Sequence, residues 1–386
     1  MLKGLFYHFS PGKDIGHGVR LFRLAESLQA SAKNNIELAL LRDADAVYPP
    51  PSAWKHGPFI PLAPGAAGHG LKRQTTILSA LRGFKPDFMV TAFFPFGRTG
   101  CAGELLPALR KAKNSGVKLY SAVPAPYFSH SGKDLRGLFQ AAELYDRIFI
   151  HSPLQPDLKY MAAAVPFEKR ISAGQFLEVF EKLGSKLCFT GYVLPRRVPA
   201  ARGTGNGRFI LVHRGGGSTS PDVITCAILA KELVKNKLPM TVVAGPASSA
   251  AEMRSWRALI ERRGIKGVTL SKKTGDLFGL LARSAVSAGT AGSTVYEALY
   301  LNKRTVLIPY KGAPGAEHSD QLARAAMLGD AAGAIVLDYD RLSPAVLAAA
   351  LDKALARPAP AYRPAPGAFD GAGVFARTVL SDLDYV

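Results

Sequence analysis

Acidic residues are scarce in this chain of 386: 29 Asp and Glu stand against 49 Lys and Arg, a formal net charge of +20. That imbalance disfavours cationic partners and favours polyanions, such as phosphorylated small molecules and anionic lipid surfaces. Cysteine is almost missing. The three present, Cys101, Cys188 and Cys226, are widely scattered with no C-x-x-C pair. This excludes a disulfide framework or thiolate zinc site and suits a reducing, cytoplasmic compartment. No apolar run reaches about 18 residues, so no segment reads as a bilayer-spanning helix. The stretch Leu2–Phe9 is too short and too soon polar for a signal peptide. The basic residues are dispersed and carry no RNP, zinc-finger or helix-turn-helix signature, so nucleic acid is not an expected partner. The histidines lack metal-ligand spacing, and no metal site is expected.

What is present is ample core material. Hydrophobic residues make up 48% of the chain, enough for two domains of about 150–200 residues each. Apolar runs at Leu2–Phe9, Ile36–Leu41, Asp87–Ala92, Lys118–Val123 and Arg147–His151 read as strands, with helical stretches between them. Leu194–Gly207, rich in Pro, Gly and Arg, is the best linker. A second series follows: strand Arg208–His213, helix 221–235, strand Met240–Ala244, helix 250–263, strand Val268–Leu270 and helix 276–283. Strand Ala334–Leu337 and helix 343–356 complete that series, and Gly373–Leu383 has helical character. Strands alternating with helices predict an α/β fold with parallel, doubly wound sheets.

Three loops at strand ends could carry chemistry, since ligands of open α/β sheets bind beyond the carboxyl ends of the strands. Ser10-Pro-Gly-Lys-Asp-Ile-Gly-His-Gly-Val-Arg20 follows the first strand, and no G-K-[ST] closes it, so it is not a Walker A loop. His213-Arg-Gly-Gly-Gly-Ser-Thr-Ser220 follows the first strand of the second series, and its three glycines ahead of a helix make an anion-binding nest. Ser287-Ala-Gly-Thr-Ala-Gly-Ser-Thr-Val-Tyr-Glu-Ala-Leu299 reads as strand, glycine-rich turn and helix. Lys303–Pro309 and Glu317-His-Ser-Asp-Gln321 then add a strand and a polar loop. Glu297 lies about one turn into the helix, where a carboxylate can reach a ribose diol beside a phosphate. It could equally serve only to stabilise the helix N-terminus.

The order of these last motifs resembles the donor site of GT-B glycosyltransferases, especially relatives of the peptidoglycan N-acetylglucosaminyltransferase MurG. That resemblance implies two doubly wound Rossmann-like domains facing across a cleft. They would span 1–194 on the acceptor side and 208–366 on the nucleotide-sugar side, joined by linker 195–207, with the tail 367–386 returning to the first domain. It implies an inverting, metal-independent transfer of N-acetylglucosamine or a similar hexose from a UDP-sugar to a hydroxyl acceptor, with no cofactor. The expected setting is cell-surface polysaccharide or glycolipid synthesis on the cytoplasmic face of the membrane, with a lipid-linked acceptor. Gly215, Gly216, Gly217, Ser218 and Thr219, with Ala291, Gly292, Ser293 and Thr294, would meet the donor diphosphate. Glu297 would hold the ribose, and Asp320 and Gln321 the sugar hydroxyls. Arg214 is an added positive charge in the donor loop without a firm family counterpart. Gly16-His17 resembles the Gly-His of the same transferases, which places Gly16 among the donor-binding residues and makes His17 a candidate general base with Glu104 as the alternative. His17 could instead cap the helix or bind phosphate. A nucleotide-sugar hydrolase, or a non-catalytic nucleotide-sugar-binding partner of a polysaccharide assembly complex, are the rival readings.

Phe93-Phe-Pro-Phe-Gly-Arg-Thr-Gly-Cys-Ala-Gly-Glu-Leu-Leu-Pro107 also follows a strand. Phe94 and Phe96 could form an acceptor platform, or they could be core. Leu71–Arg82 and Leu105–Lys113 mix apolar and basic residues on helical segments. They read either as a membrane-facing patch or as helices that bury apolar faces in the sheet and expose their charges. Gly203-Thr-Gly205-Asn-Gly207 has dinucleotide-loop spacing but follows no strand, and the D-x-D pairs at 43–45, 338–340 and 382–384 sit in no metal-binding context.

Overall fold

The computed structural model describes residues 1–9, 15–46, 51–64, 70–124, 135–153, 172–196, 207–216, 219–312 and 320–385. They form two compact units: residues up to 196 together with 365–385, and residues 207–364.

The first unit is built on seven parallel strands: β1 (Leu2–His8), β2 (Ile36–Asp43), β3 (Phe59–Leu62), β4 (Phe88–Ala92), β5 (Lys118–Pro124), β6 (Arg147–His151) and β7 (Leu187–Phe189). Their order is β3-β2-β1-β4-β5-β6-β7. Both faces are covered, which is why the central strands read as unbroken apolar runs. Along β1, Leu5 and Tyr7 enter a core with Ile77 of α2 (Gly70–Phe84) and with Leu105 and Leu109 of α3 (Ala102–Asn114). Phe6 points the other way, to Leu21 and Leu28 of α1 (Gly16–Ser31). Helices α4 (Arg136–Glu143) and α5 (Ala173–Leu183) follow β5 and β6.

The chain's last helix, Gly371–Asp382, belongs to this unit. Its Phe375, Ala376, Val379 and Leu380 fill the core shared with α1. Arg147 forks onto both oxygens of Asp382 at 2.6 and 2.8 Å, and Val193 bridges to Asp370.

The second unit holds six parallel strands: β8 (Ile210–His213), β9 (Met240–Val243), β10 (Val268–Ser271), β11 (Val286–Gly289), β12 (Thr305–Leu307) and β13 (Ile335–Val336). The order β10-β9-β8-β11-β12-β13 places the switch in winding direction between β8 and β11. The helices are α6 (Pro221–Leu233), α7 (Ala250–Arg263), α8 (Leu277–Arg283), α9 (Thr294–Tyr300), α10 (Asp320–Ala332) and α11 (Pro344–Ala356), with the tail helix as α12. Ser249 and Glu252 close a reciprocal capping box on α7, and Gly264 ends it in the left-handed conformation.

Two strands differ from the sequence expectation. Both β3 and β7 were unforeseen, and both lie at the edges of the first sheet. β3 contains Pro61, which an edge strand tolerates and a central strand does not. β7 has only three residues.

Candidate functional site

At the switch point of the second sheet two glycine-rich turns leave adjacent strand ends. His213 and Gly289 are register partners, and the Thr290 N–H donates to the His213 carbonyl at 3.3 Å. Any side chain at Gly289 would begin 2.0 Å from that carbonyl, so only glycine lets β8 and β11 approach so closely here. In the first turn Gly215 takes φ +59°, and Gly216 accepts the Ala247 N–H at 2.9 Å. A side chain at Gly215 would begin 3.5 Å from Thr290 Oγ1, so the two turns lie side by side. Gly217 and Ser218 fall outside the described residues; Thr219 is half-buried. The second turn, Thr290–Ser293, leads into α9, whose entry has no side-chain cap. Half-exposed Gly292 and Ser293 are its accessible part, while Ala291 and Thr294 are buried.

Arg214 takes a different role from the one its place in the loop suggests. It is buried, its Nε donates to the Ala244 carbonyl at 2.8 Å, and one terminal nitrogen donates to Thr219 O at 3.3 Å. The other donates to Ser248 Oγ and Glu252 Oε1, both at 2.9 Å, and the guanidinium stacks over Trp256. Every nitrogen is engaged within the protein. Arg214 is therefore a staple that fixes the first turn to the start of α7 rather than a ligand for phosphate.

Glu297 projects from the first turn of α9 and is 4% exposed. Asp320 and Gln321 open α10, both half-exposed. Gln321 Oε1 accepts the Tyr310 N–H at 3.1 Å, which holds it beside the chain leaving β12. Asp320 pairs with Arg324 at 2.5 Å, and Arg324 Nε donates to the Ala291 carbonyl at 2.8 Å. Arg324 thus ties the Asp320 end of α10 to the second glycine turn. The sequence reading passed over it, though its (i, i+4) spacing from Asp320 was visible. Glu317, His318 and Ser319 lie outside the described residues.

In the first unit, Gly16 and His17 begin α1. The His17 ring stacks on Phe93 with centroids 5.0 Å apart, and its Nδ1 lies 3.3 Å from an Arg20 nitrogen. Close by is His8, buried, with no hydrogen-bond partner for either ring nitrogen among the described residues. Burial first, then the charges of Arg42, His17, Arg98 and Arg20, hold its pKa well below the usual imidazole value.

Glu104 does not fit the role of base. Its carboxylate accepts from the Tyr7 hydroxyl and from Arg73 Nε at 2.7 Å, and Arg73 reaches on to Asp43. All four are buried, and burial raises the Tyr7 phenol well above its ordinary value, so it stays a donor. A carboxylate locked to a guanidinium inside the core is poorly placed to collect a proton from a substrate. Phe93, Phe94 and Phe96 are likewise buried in that core, which leaves Phe94 and Phe96 as packing residues and not an acceptor platform. Among the described residues, no group of three or more His, Cys, Asp or Glu gathers as a metal cluster would.

Residues 216–370 match the family model for the glycosyltransferase family 28 C-terminal domain. The chain is 30% identical over 174 residues to the UDP-N-acetylglucosamine–N-acetylmuramyl-(pentapeptide) pyrophosphoryl-undecaprenol N-acetylglucosamine transferase of Agrobacterium fabrum. That similarity spans 44% of each chain, so it covers less than half of the relative's length. Among solved structures, Acinetobacter baumannii MurG superposes with a TM-score of 0.57 at 14% identity over all of both chains. The UDP-GlcNAc 2-epimerase of Methanocaldococcus jannaschii gives 0.58 at 10%, also over all of both chains. The MnaA–UDP structure from S. aureus gives 0.59 at 11%, covering 100% of this chain and 98% of that one. The chain has the MurG-like GT-B fold of two Rossmann-like domains.

Proposed function

We propose that this protein is an inverting, metal-independent glycosyltransferase. It moves a hexose, with N-acetylglucosamine the first candidate, from a UDP-sugar to a hydroxyl of a lipid-linked acceptor in cell-surface polysaccharide or glycolipid synthesis. The observation that carries this reading is the apposition of the two glycine-rich turns at the switch point, with Arg324 binding the sugar-side residue Asp320 to the second turn. The family 28 match over the same unit supports it, as does the donor named for the Agrobacterium relative.

The donor diphosphate lies over Gly215–Thr219 and Ala291–Thr294, where backbone N–H groups meet its charge. Glu297 accepts from the ribose diol, and Asp320 and Gln321 bind the sugar hydroxyls. His17 takes the proton from the acceptor hydroxyl. The acceptor oxygen bonds to the anomeric carbon from the face opposite the nucleotide. The bond to the diphosphate oxygen breaks, and its electron pair leaves with UDP, so the anomeric centre inverts. The growing charge on UDP is stabilised by the same backbone donors that bound it, without a metal ion. The protein works at the cytoplasmic face of the membrane as a peripheral enzyme. Among the described residues no helix is long and apolar enough to cross a membrane.

The direct test incubates the protein with a panel of UDP-sugars and native lipid extract and identifies the products by mass spectrometry. The expected outcome is UDP together with a lipid heavier by one sugar. Free sugar without acceptor stimulation would make the protein a hydrolase, and an isomerised donor would make it an epimerase. Binding without turnover in native lysate would leave a nucleotide-sugar-binding partner.

A further inference from the structure

His213 closes β8 at the switch point and is only 5% exposed. Among the described residues its Nδ1 has no hydrogen-bond partner. A buried polar atom in that state has given up a bond to water without replacing it, which calls for a partner such as a bound water, ion or ligand. The ring occupies the space that Gly289 leaves: a side chain there would begin 3.0 Å from Nδ1. The His213 carbonyl carries the Thr290 N–H, and Thr290 Oγ1 in turn borders Gly215. The imidazole is therefore built into the joint of the two glycine-rich turns.

The charged groups on the surrounding elements are otherwise engaged. Arg214 turns away to Glu252, and the Asp320–Arg324 pair is tied to Ala291. Glu297 lies on α9. None of these sets the charge of the ring. Burial alone lowers its pKa to about 4, so it is neutral at working pH in the empty site.

We propose that His213 is a proton-linked anchor for the donor diphosphate, taking up a proton as the ligand settles on the two turns and then holding it as imidazolium. This rests on the reading of those turns as the diphosphate seat. Two phosphate charges beside a buried imidazole favour its charged form, each opposite charge within about 4–6 Å raising the pKa by about 1–3 units. The sign of the linkage follows: the complex binds one more proton than the free protein, so affinity rises as pH falls from the bound pKa toward the free one. UDP-N-acetylglucosamine is the suitable probe, because its diphosphate is a diester and does not itself titrate near neutral pH.

Calorimetry of the full chain with UDP-N-acetylglucosamine, in two buffers of different ionisation enthalpy, reads the proton directly. For a bound pKa of about 6.5, the ordinary imidazole value, close to one proton is taken up at pH about 5.5. Affinity is then about tenfold tighter there than at pH about 7.5. His213→Asn and His213→Gln lose both the uptake and the pH slope, whatever their affinity at the higher pH. On the wild-type protein, ring-nitrogen chemical shifts of labelled histidine show one imidazole passing from neutral to charged when the ligand is added at pH about 5.5. This readout stands even if a variant fails to fold. Uptake that persists in both variants, or a wild-type complex that forms without uptake and with flat affinity, overturns the role of His213 alone. Absence of binding at either pH, for UDP-N-acetylglucosamine and for UDP, overturns the diphosphate seat as well.

Discussion

Arg214 shows how far a residue's task can stand from its place in the sequence. Read along the chain it is a cation in a glycine-rich loop, the usual company of phosphate. Its partners Ala244, Ser248 and Glu252 lie 30 to 38 positions away, where no local pattern could announce them. Because its bonds hold the first turn in shape, Arg214→Ala should lower stability by about 2–4 kcal/mol, through lost charge-assisted bonds and lost packing on Trp256. Arg214→Lys should recover little of this, since the three donors of one ammonium nitrogen cannot span the four acceptors that the guanidinium reaches. Thermal and urea unfolding of both variants checks the point. His17 makes the contrasting case. Its proposed task is proton transfer and not nucleotide binding, so His17→Ala should barely change UDP affinity, while turnover falls by about 10²–10⁴-fold if it is the base. Steady-state kinetics giving near-normal turnover would hand the proton to another group.

Among elements, the most legible were the central strands buried on two faces. β4, β5, β6, β8 and β9 are short apolar runs bounded by Pro, Gly or charged residues, and α7 carries a Ser249–Glu252 capping box that marks its start in the sequence. The edges of the first sheet were not legible, because β3 and β7 gain their strand character from one neighbour each and not from their own composition. By contrast β10 and β13, the edges of the second, were read from their apolar residues. The candidate site was legible as glycine-rich loops at strand ends. The ties between its elements were not: Arg324 to Ala291, and Thr290 to His213, appear only when helices and strands are stacked. The same holds for Glu104. Its neighbours Tyr7, Arg73 and Asp43 arrive from three other elements, and together they brace α2 and α3 against the first sheet. Removing the central cation by Arg73→Met would strand two buried carboxylates and should cost about 3–5 kcal/mol. Glu104→Gln should lower the melting temperature yet leave turnover of wild-type order. A loss of a hundredfold or more in kcat, with the protein folded, would return Glu104 to the chemistry.

For the whole molecule the governing fact is charge, +20 over 386 residues. The helices α2 and α3 bury Ile77, Leu81, Leu105 and Leu109 in the first core and expose Lys72, Arg82, Arg110 and Lys111. Arg73, read from the sequence as part of the same basic stripe, is buried, and Leu71 at 81% exposure is the main apolar residue left outside. What remains is an electrostatic surface, each basic residue near anionic lipid contributing about 1 kcal/mol and losing it as salt rises. Sedimentation should therefore show reversible, salt-sensitive binding to anionic vesicles and little to neutral ones. Equal binding to both, or none to either at low salt, would reduce the patch to ordinary solvated surface.

The central claim is that the paired turns and α9 of the second unit seat a uridine nucleotide, and Glu297 is its sharpest probe. A buried carboxylate accepting from a ribose diol makes charge-assisted bonds worth about 1.5–3 kcal/mol. Titration calorimetry with UDP should thus find Glu297→Ala folded and weaker in binding by about tenfold to a hundredfold. An affinity unchanged by the substitution, or a wild-type protein that does not bind UDP, would contradict the account.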